Sequence, residues 1–354
     1  MQNDLFDDFI DYGFDPNDID ISVQNISLYY LLRRLEFGEI DLFASYQRNW
    51  NLWNTIQQSR LIESILIRIP IPSFYFDTKE DGKWQVVDGL QRVTTFYNFI
   101  IEEKFRLIGL EFLPQFNGYR FSELPRELQR RIEEFSLNIY LINRGTPENI
   151  KFIIFSRINT GGVQLNSQEL RYALNQGKAT KLLDELSETR EFIEAIGRFI
   201  NSKRMADIEL INRFFAFYLF KIDYNGDLDL FLNFALHRIN HMDFKLEVLK
   251  EDFLNSMKYS IKIFGDYIFK RTDQINRVTR PNKLLFEVIS VNLAWLEIVQ
   301  LEILFQKRES VAKQLNELFY DDLFIDSILS STNSRRKVDY RFEEVRKVFK
   351  NHLS

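Results

Sequence analysis

The sequence predicts an α+β protein, with a mixed α/β lobe over residues 1–176 and an all-helical lobe over residues 177–354. Three observations carry that division. Short runs of β-branched and aromatic residues bounded by turn formers are confined to the first half. Beyond residue 177 apolar residues recur at helical spacing, as in Ile208, Ile211, Phe214, Phe215, Tyr218 and Leu219, and again in Phe286, Ile289, Leu293, Leu296, Val299 and Leu304. With 354 residues, 45% of them hydrophobic, the chain is long enough to bury one large core or two medium ones.

Taken in order, the chain opens on an acidic leader. Residues 1–20 hold Asp4, Asp7, Asp8, Asp11, Asp15, Asp18 and Asp20 with no Lys or Arg, interleaved with Leu5, Phe6, Phe9, Ile10, Tyr12 and Phe14. That pattern suits either a docking segment or a solvated arm folded on its own domain. Trp53, Ile56, Leu61, Ile62, Ile65, Leu66 and Ile69 form the apolar face of a helix that ends at Pro70 and Pro72. Residues 73–78 and 84–88 read as neighbouring strands joined by a turn over 79–83, and residues 105–113 as a further extended stretch. A helix over 126–135 and a strand over 137–142 follow. Thr146 with Pro147 starts another helix, which ends near Asn159-Thr160-Gly161-Gly162, and Asn166 with Glu169 reads as a capping box placing Gln168, Glu169 and Arg171 in the next first turn. At the C-terminal end Arg335, Arg336, Lys337, Arg341, Arg346, Lys347 and Lys350 outnumber Asp339, Glu343 and Glu344. This excess is either a phosphate-facing patch or the ordinary decoration of a terminal helix.

Chemistry concentrates at Trp84-Gln85-Val86-Val87-Asp88-Gly89-Leu90-Gln91-Arg92-Val93-Thr94-Thr95, where an apolar strand runs through an Asp-Gly turn straight into a helix. The first N–H groups of a helix lack intrahelical partners and carry the positive end of its dipole, so phosphate oxygens are stabilised there. Gly89 admits a ligand close to the backbone, and Asp88 can reach a metal, a ribose or a water. Gln91, Arg92, Thr94 and Thr95 bring side-chain donors to the same turn. An Asp-Gly turn with a basic residue after it is also common without any ligand. A second polar cluster, Tyr46-Gln47-Arg48, precedes the earlier helix much as Gln91-Arg92 opens this one.

Tyr46-Gln47-Arg48, Pro70-Ile71-Pro72, Val87-Asp88-Gly89-Leu90-Gln91-Arg92 with Thr94-Thr95, and Ile158-Asn159-Thr160-Gly161-Gly162 with Leu165, Glu169, Leu170 and Arg171 together resemble the ParB/sulfiredoxin-like N-terminal domain of GmrSD-type modification-dependent restriction proteins. Arg204-Met205-Ala206-Asp207-Ile208-Glu209 with Arg213-Phe214, and Asn282-Lys283-Leu284-Leu285-Phe286-Glu287, are similar to motifs in the family's helical continuation. The usual Asp-Gly-Gln-Gln-Arg signature is Asp-Gly-Leu-Gln-Arg here, with Leu90 in place of an amide.

The resemblance implies a ParB/sulfiredoxin-like first lobe and a nucleotide-binding, NTP-hydrolysing sensor or regulatory component of a bacterial anti-phage or restriction system. It implies a nucleoside triphosphate with magnesium as ligand, Asp88 on the metal or attacking water, and Arg48 and Arg92 on the phosphates. Gln47, Gly89, Gln91, Thr94 and Thr95 cradle the nucleotide, with Asn159, Gly161, Gly162 and Arg171 as a further wall. Lys283, with Arg204 and Asp207, would be contributed from the helical lobe. The alternatives are a non-enzymatic DNA-binding module using the same Arg and Gln residues, including one that reads modified DNA, and a nuclease working without histidine. In GmrSD-like proteins a separate HNH segment cuts, and its histidines and spacing are not evident here, so a separate nuclease or effector chain is an expected partner, alongside self-association.

Other chemistries are set aside by composition. There is no cysteine, so disulfides, thiolate metal sites and cysteine nucleophiles are excluded. His237 and His241 have zinc-ligand spacing but no Glu between them. Walker A and Gly-x-Gly-x-x-Gly sequences are missing. With neither a signal peptide nor an apolar run of membrane-spanning length, a cytoplasmic protein without membrane contact is expected.

Overall fold

The computed structural model describes residues 19–42, 53–79, 81–158, 166–197, 205–265, 268–271 and 282–353. The chain divides into two compact units, the first over Tyr12–Asn166 and the second built from Ser167–Ser354.

The first unit is a mixed α+β domain around a five-stranded sheet of order β1-β5-β3-β4-β2. Its elements are β1 (Ile21–Ser27), α1 (Leu28–Glu36), β2 (Ile40–Asp41), α2 (Thr55–Leu66), β3 (Phe74–Thr78), β4 (Trp84–Asp88), α3 (Leu90–Phe96), α4 (Arg126–Glu133), β5 (Ser136–Ile142) and α5 (Glu148–Ile158). β3 pairs antiparallel with β4 and parallel with β5, so the sheet is mixed. One face of the sheet buries Phe74, Phe76, Trp84, Val86, Leu137, Ile139 and Leu141 against Ile62, Ile65, Val93 and Phe96 of the helices. The helix predicted from Trp53 onward begins at Asn54, whose side chain accepts from the Gln57 N–H while the Gln57 side chain accepts from the Asn54 N–H.

Two departures from the sequence reading have clear causes. Residues 105–113 form no strand, because their backbone donors are taken elsewhere: the Glu63 carboxylate accepts from the N–H groups of Glu111, Phe112 and Leu113 at 3.1, 2.7 and 2.9 Å, and Ser59 Oγ accepts from Ile108. β1 escapes a pattern reading because Ile-Ser-Val-Gln-Asn-Ile-Ser is half polar. It is a strand because β5 pairs with it along its whole length, from Ile21 opposite Ile142 to Ser27 opposite Ser136.

The second unit is helical among its described residues. It contains α6 (Ser167–Leu174), α7 (Lys178–Ser187), α8 (Arg190–Ile196), α9 (Ala206–Phe220), α10 (Leu228–His241), α11 (Leu246–Phe264), α12 (Lys283–Ala294), α13 (Ile298–Gln306), α14 (Arg308–Glu317), α15 (Asp322–Leu329) and α16 (Arg335–Leu353). The aromatic stripes are core: Phe253 packs its ring against Phe192, Phe214 and Phe215. The apolar run from Phe286 to Leu304 is two helices, α12 and α13, bent by 120°. The boundary between units falls ten residues before the one expected at 176/177, since α6 belongs to the helical unit through Arg171 to Asp229 at 2.6 Å and Asn175 to Asn233 at 2.7 Å. Among the described residues no single helix is long and apolar enough to cross a membrane.

Candidate functional site

At the C-terminal end of β4 the chain turns at Gly89, which holds a left-handed φ of +101° and serves as the N-cap of α3. Only glycine fits. A Cβ built there would lie 2.5 Å from Phe74 Cδ1, so both backbone conformation and space exclude a side chain. Glycine has no side chain to accept from the first N–H groups of α3, so the N-cap makes no side-chain hydrogen bond to them.

Arg92, one helical turn on, is 8% exposed, and its guanidinium is turned back onto the turn. Nη2 donates to Asp88 Oδ2 at 2.8 Å and to the Ser73 carbonyl at 3.1 Å, while Nη1 donates to the Pro72 carbonyl. The guanidinium also lies over the Phe74 ring at 4.3 Å. Arg92 thereby ties three segments together: the Pro70–Pro72 break before β3, the end of β4 and the start of α3. Burial raises the Asp88 carboxyl above its ordinary range despite Arg92 and the Gly89 N–H, which both favour the charged form. The Arg92 guanidinium is lowered by the same burial.

The other predicted residues of this turn divide. Gln91 Oε1 accepts from the Trp53 N–H at 3.4 Å, joining the turn to the entrance of α2. Thr94 and Thr95 are buried on the core side of α3, and Thr95 Oγ1 donates to the Gln91 carbonyl at 2.7 Å. Leu90, standing where the family signature has an amide, packs against the hydrophobic core of this unit. Gln47, Arg48, Asn159, Gly161, Gly162 and Arg204 lie outside the described residues.

Two predicted residues fall in the helical unit, in charge networks of its own. Arg171 is 2% exposed and donates to Asp229 Oδ1 at 2.6 Å and to Gln168 Oε1 at 3.1 Å. Lys283 opens α12 beside the cap Asn282 and reaches Glu209 at 2.7 Å. Burial works to raise the Glu209 carboxyl, but Arg213 and Lys283 together hold it at about 2. Arg213 extends this pairing to Glu287 at 3.1 Å, and Glu287, wholly buried, meets Arg341 at 2.8 Å. Arg341 is therefore part of the core and no part of a basic surface. Asp207 is buried as well.

The sequence reading missed Tyr75 and Tyr140. They are half-buried on adjacent strands with ring centroids 4.8 Å apart, and a register shift between Tyr75 and Phe76 brings Tyr75 opposite Asp88. It also missed Asp77, a wholly buried carboxylate held by Lys79 at 2.8 Å and Lys151 at 3.0 Å. Alternation along β3 marks Tyr75 and Asp77 as one face, but only the register reveals their neighbours.

Among the described residues no group of three His, Asp or Glu side chains gathers as metal ligands. Asp88 is a lone carboxylate, a donor set that suits magnesium only if phosphate oxygens and water complete its shell.

The comparisons with known proteins bear on this turn and its surroundings. Residues 33–175 match the family model described as the GmrSD restriction endonuclease N-terminal domain. That segment belongs to the GmrSD-type N-terminal domain family. The match covers β2 to β5, the Asp88-Gly89 turn and Arg92, and supports a component of a restriction or phage-defence system. No curated protein and no solved structure matches the chain.

Proposed function

We propose that this protein is a nucleotide-binding, NTP-hydrolysing sensor or regulatory component of a bacterial restriction or anti-phage system, acting on nucleic acid in the cytoplasm. The observation that carries the reading is the strand-to-helix turn at Asp88-Gly89, where an uncapped helix start and a left-handed glycine sit beside a carboxylate inside a restriction-family domain. The N–H groups at the start of α3 take phosphate oxygens, and Asp88 orients the attacking water and accepts its proton. Magnesium, held by Asp88 and the phosphates, would supply charge neutralisation. Arg92, already bound to two carbonyls and Asp88, holds the turn in shape, which leaves Arg48 as the cation for phosphate charge.

Phosphate release from ATP and GTP with magnesium tests the reading. Turnover by the native protein and its loss in Asp88→Ala, with nucleotide affinity reduced only modestly, are expected. A second reading, a DNA-binding module without hydrolysis, is favoured by Leu90, which packs against the core where the family signature has an amide. Binding of modified or unmodified duplex by a protein that releases no phosphate and binds no nucleotide would establish it instead.

A further inference from the structure

A groove in the helical unit is built from residues that the Asp88 turn does not use. It lies between α11 and the corner where α12 turns by 120° into α13, and its volume is about 410 Å3. Leu293 and Leu301, both buried, give it an apolar floor, and Trp295 and Ile298, 38% and 51% exposed, give it an apolar rim. Its charge is of one sign. Glu251 and Asp252 line it from α11 and Glu297 from the corner, and among the described residues no Lys, Arg or His lines it. One residue of α9 fixes two of these side chains. The Tyr218 hydroxyl donates to Asp252 Oδ2 at 2.7 Å, and the Tyr218 carbonyl accepts from Trp295 Nε1 at 3.2 Å, so the carboxylate and the indole are in place before anything binds. The Trp295 ring also rests against Phe342, with centroids 6.0 Å apart.

Carboxylates gathered beside an indole and an aliphatic floor are complementary to a cation on an apolar stem. A guanidinium is drawn to the face of an aromatic ring as well as to carboxylates, and its methylenes cover aliphatic surface. A free small cation would satisfy the carboxylates and leave Trp295 and Ile298 in water, whereas a polypeptide that carries the cation can cover them. We propose that this groove docks a partner polypeptide through an arginine set beside apolar residues, with the guanidinium among Glu251, Asp252 and Glu297 and against Trp295, and the neighbouring apolar side chains over Ile298. Arginine suits the place better than lysine, because its planar group stacks on an indole while its N–H fork still reaches carboxylates.

The test follows the fluorescence anisotropy of a labelled short peptide alternating arginine and leucine, titrated with the full chain, against the same peptide carrying citrulline for arginine, which keeps the shape and removes the charge. The arginine peptide is expected to bind about tenfold more tightly and to weaken with added salt. Trp295→Leu and Glu251→Gln should each weaken it about two- to fivefold, the range of one cation–π contact or one exposed ion pair. Glu309→Gln removes an exposed carboxylate of α14 that does not line the groove, and should leave the affinity unchanged. Melting of each variant by circular dichroism establishes that the fold is retained; Glu251 is exposed, so its amide variant carries the test if Trp295→Leu does not fold. Absence of binding by the arginine peptide, equal affinity for the two peptides, or equal loss in Glu251→Gln and Glu309→Gln overturns the proposal. Spermidine that binds as tightly as the peptide, with the same dependence on Glu251 and Trp295, makes the occupant a small cation and overturns the polypeptide. None of these results bears on the nucleotide reading.

Discussion

Two of the molecule's buried charge clusters, one taken from each unit, follow opposite rules. In the helical unit Glu287 is shared by Arg213 and Arg341, and Glu209 by Arg213 and Lys283, so each carboxylate has two cations and Glu209 is held at about 2. In the mixed unit Asp88 has one cation, and burial outweighs it, so its carboxyl is raised. Saturated pairs are built to stay as they are, whereas a carboxylate short of partners at a turn is available to a ligand. The difference teaches that buried charge marks a site only where the pairing is incomplete. On that ground the Asp88 turn is the better candidate for chemistry, although the helical unit holds more buried charge.

The sharpest break of the comparison is Glu287→Ala, which leaves Arg213 with Glu209 alone and takes from Arg341 the carboxylate it is paired with. It should cost about 3–5 kcal/mol of stability in chemical denaturation. Arg92→Ala should cost less, about 2–3 kcal/mol, because one edge of its cluster is at a turn that water can reach. Equal losses would show that the Asp88 cluster is as closed as the other. Gly89→Ala should follow, at about 1–3 kcal/mol for a side chain in the left-handed region, with the Phe74 overlap at 2.5 Å setting where in that range it falls. A neutral Gly89→Ala would mean that the turn is pliable enough to move Phe74.

Acid titration sharpens the same contrast. Glu209 is lowered from 4.5 to about 2, so its contribution to stability is present above pH 4.5 and disappears as pH falls towards 2. Asp88 is raised, so its effect has the opposite sign: folding is relatively favoured below the ordinary aspartate range and that advantage is lost as pH rises through its folded value. Accordingly Glu209→Gln should flatten the stability profile between pH 4.5 and 2, whereas Asp88→Asn should raise stability at neutral pH. Denaturation at a series of pH values measures both, and an unchanged profile in Glu209→Gln would contradict the pairing described for it.

Much of this was legible in the sequence, and the rest was hidden for physical reasons. The Asp88-Gly89 turn, the helix behind it and the strand before it are local, written in glycine, apolar runs and caps. The helical second unit announced itself through its aromatic periodicity. Residues 105–113 looked extended because nothing local reveals that Glu63, some fifty residues away, takes their backbone donors. Arg341 looked like surface charge because its partner Glu287 is 54 positions distant. Tyr75 and Tyr140 carry no motif at all. Their significance arises from strand register and a single shift beside Phe76, which no reading of one sequence supplies.

The central claim is that the Asp88 turn holds a nucleotide, and the most direct measurement is the melting temperature of the purified protein with and without ATP or GTP and magnesium. Binding to the folded state alone raises stability by an amount set by the ratio of ligand concentration to Kd, about 2.7 kcal/mol at a hundredfold excess. The account predicts a rise of several degrees for the native chain and a smaller one for Arg92→Ala, whose turn has lost its brace. Unchanged melting of the native protein at millimolar nucleotide with magnesium would contradict it.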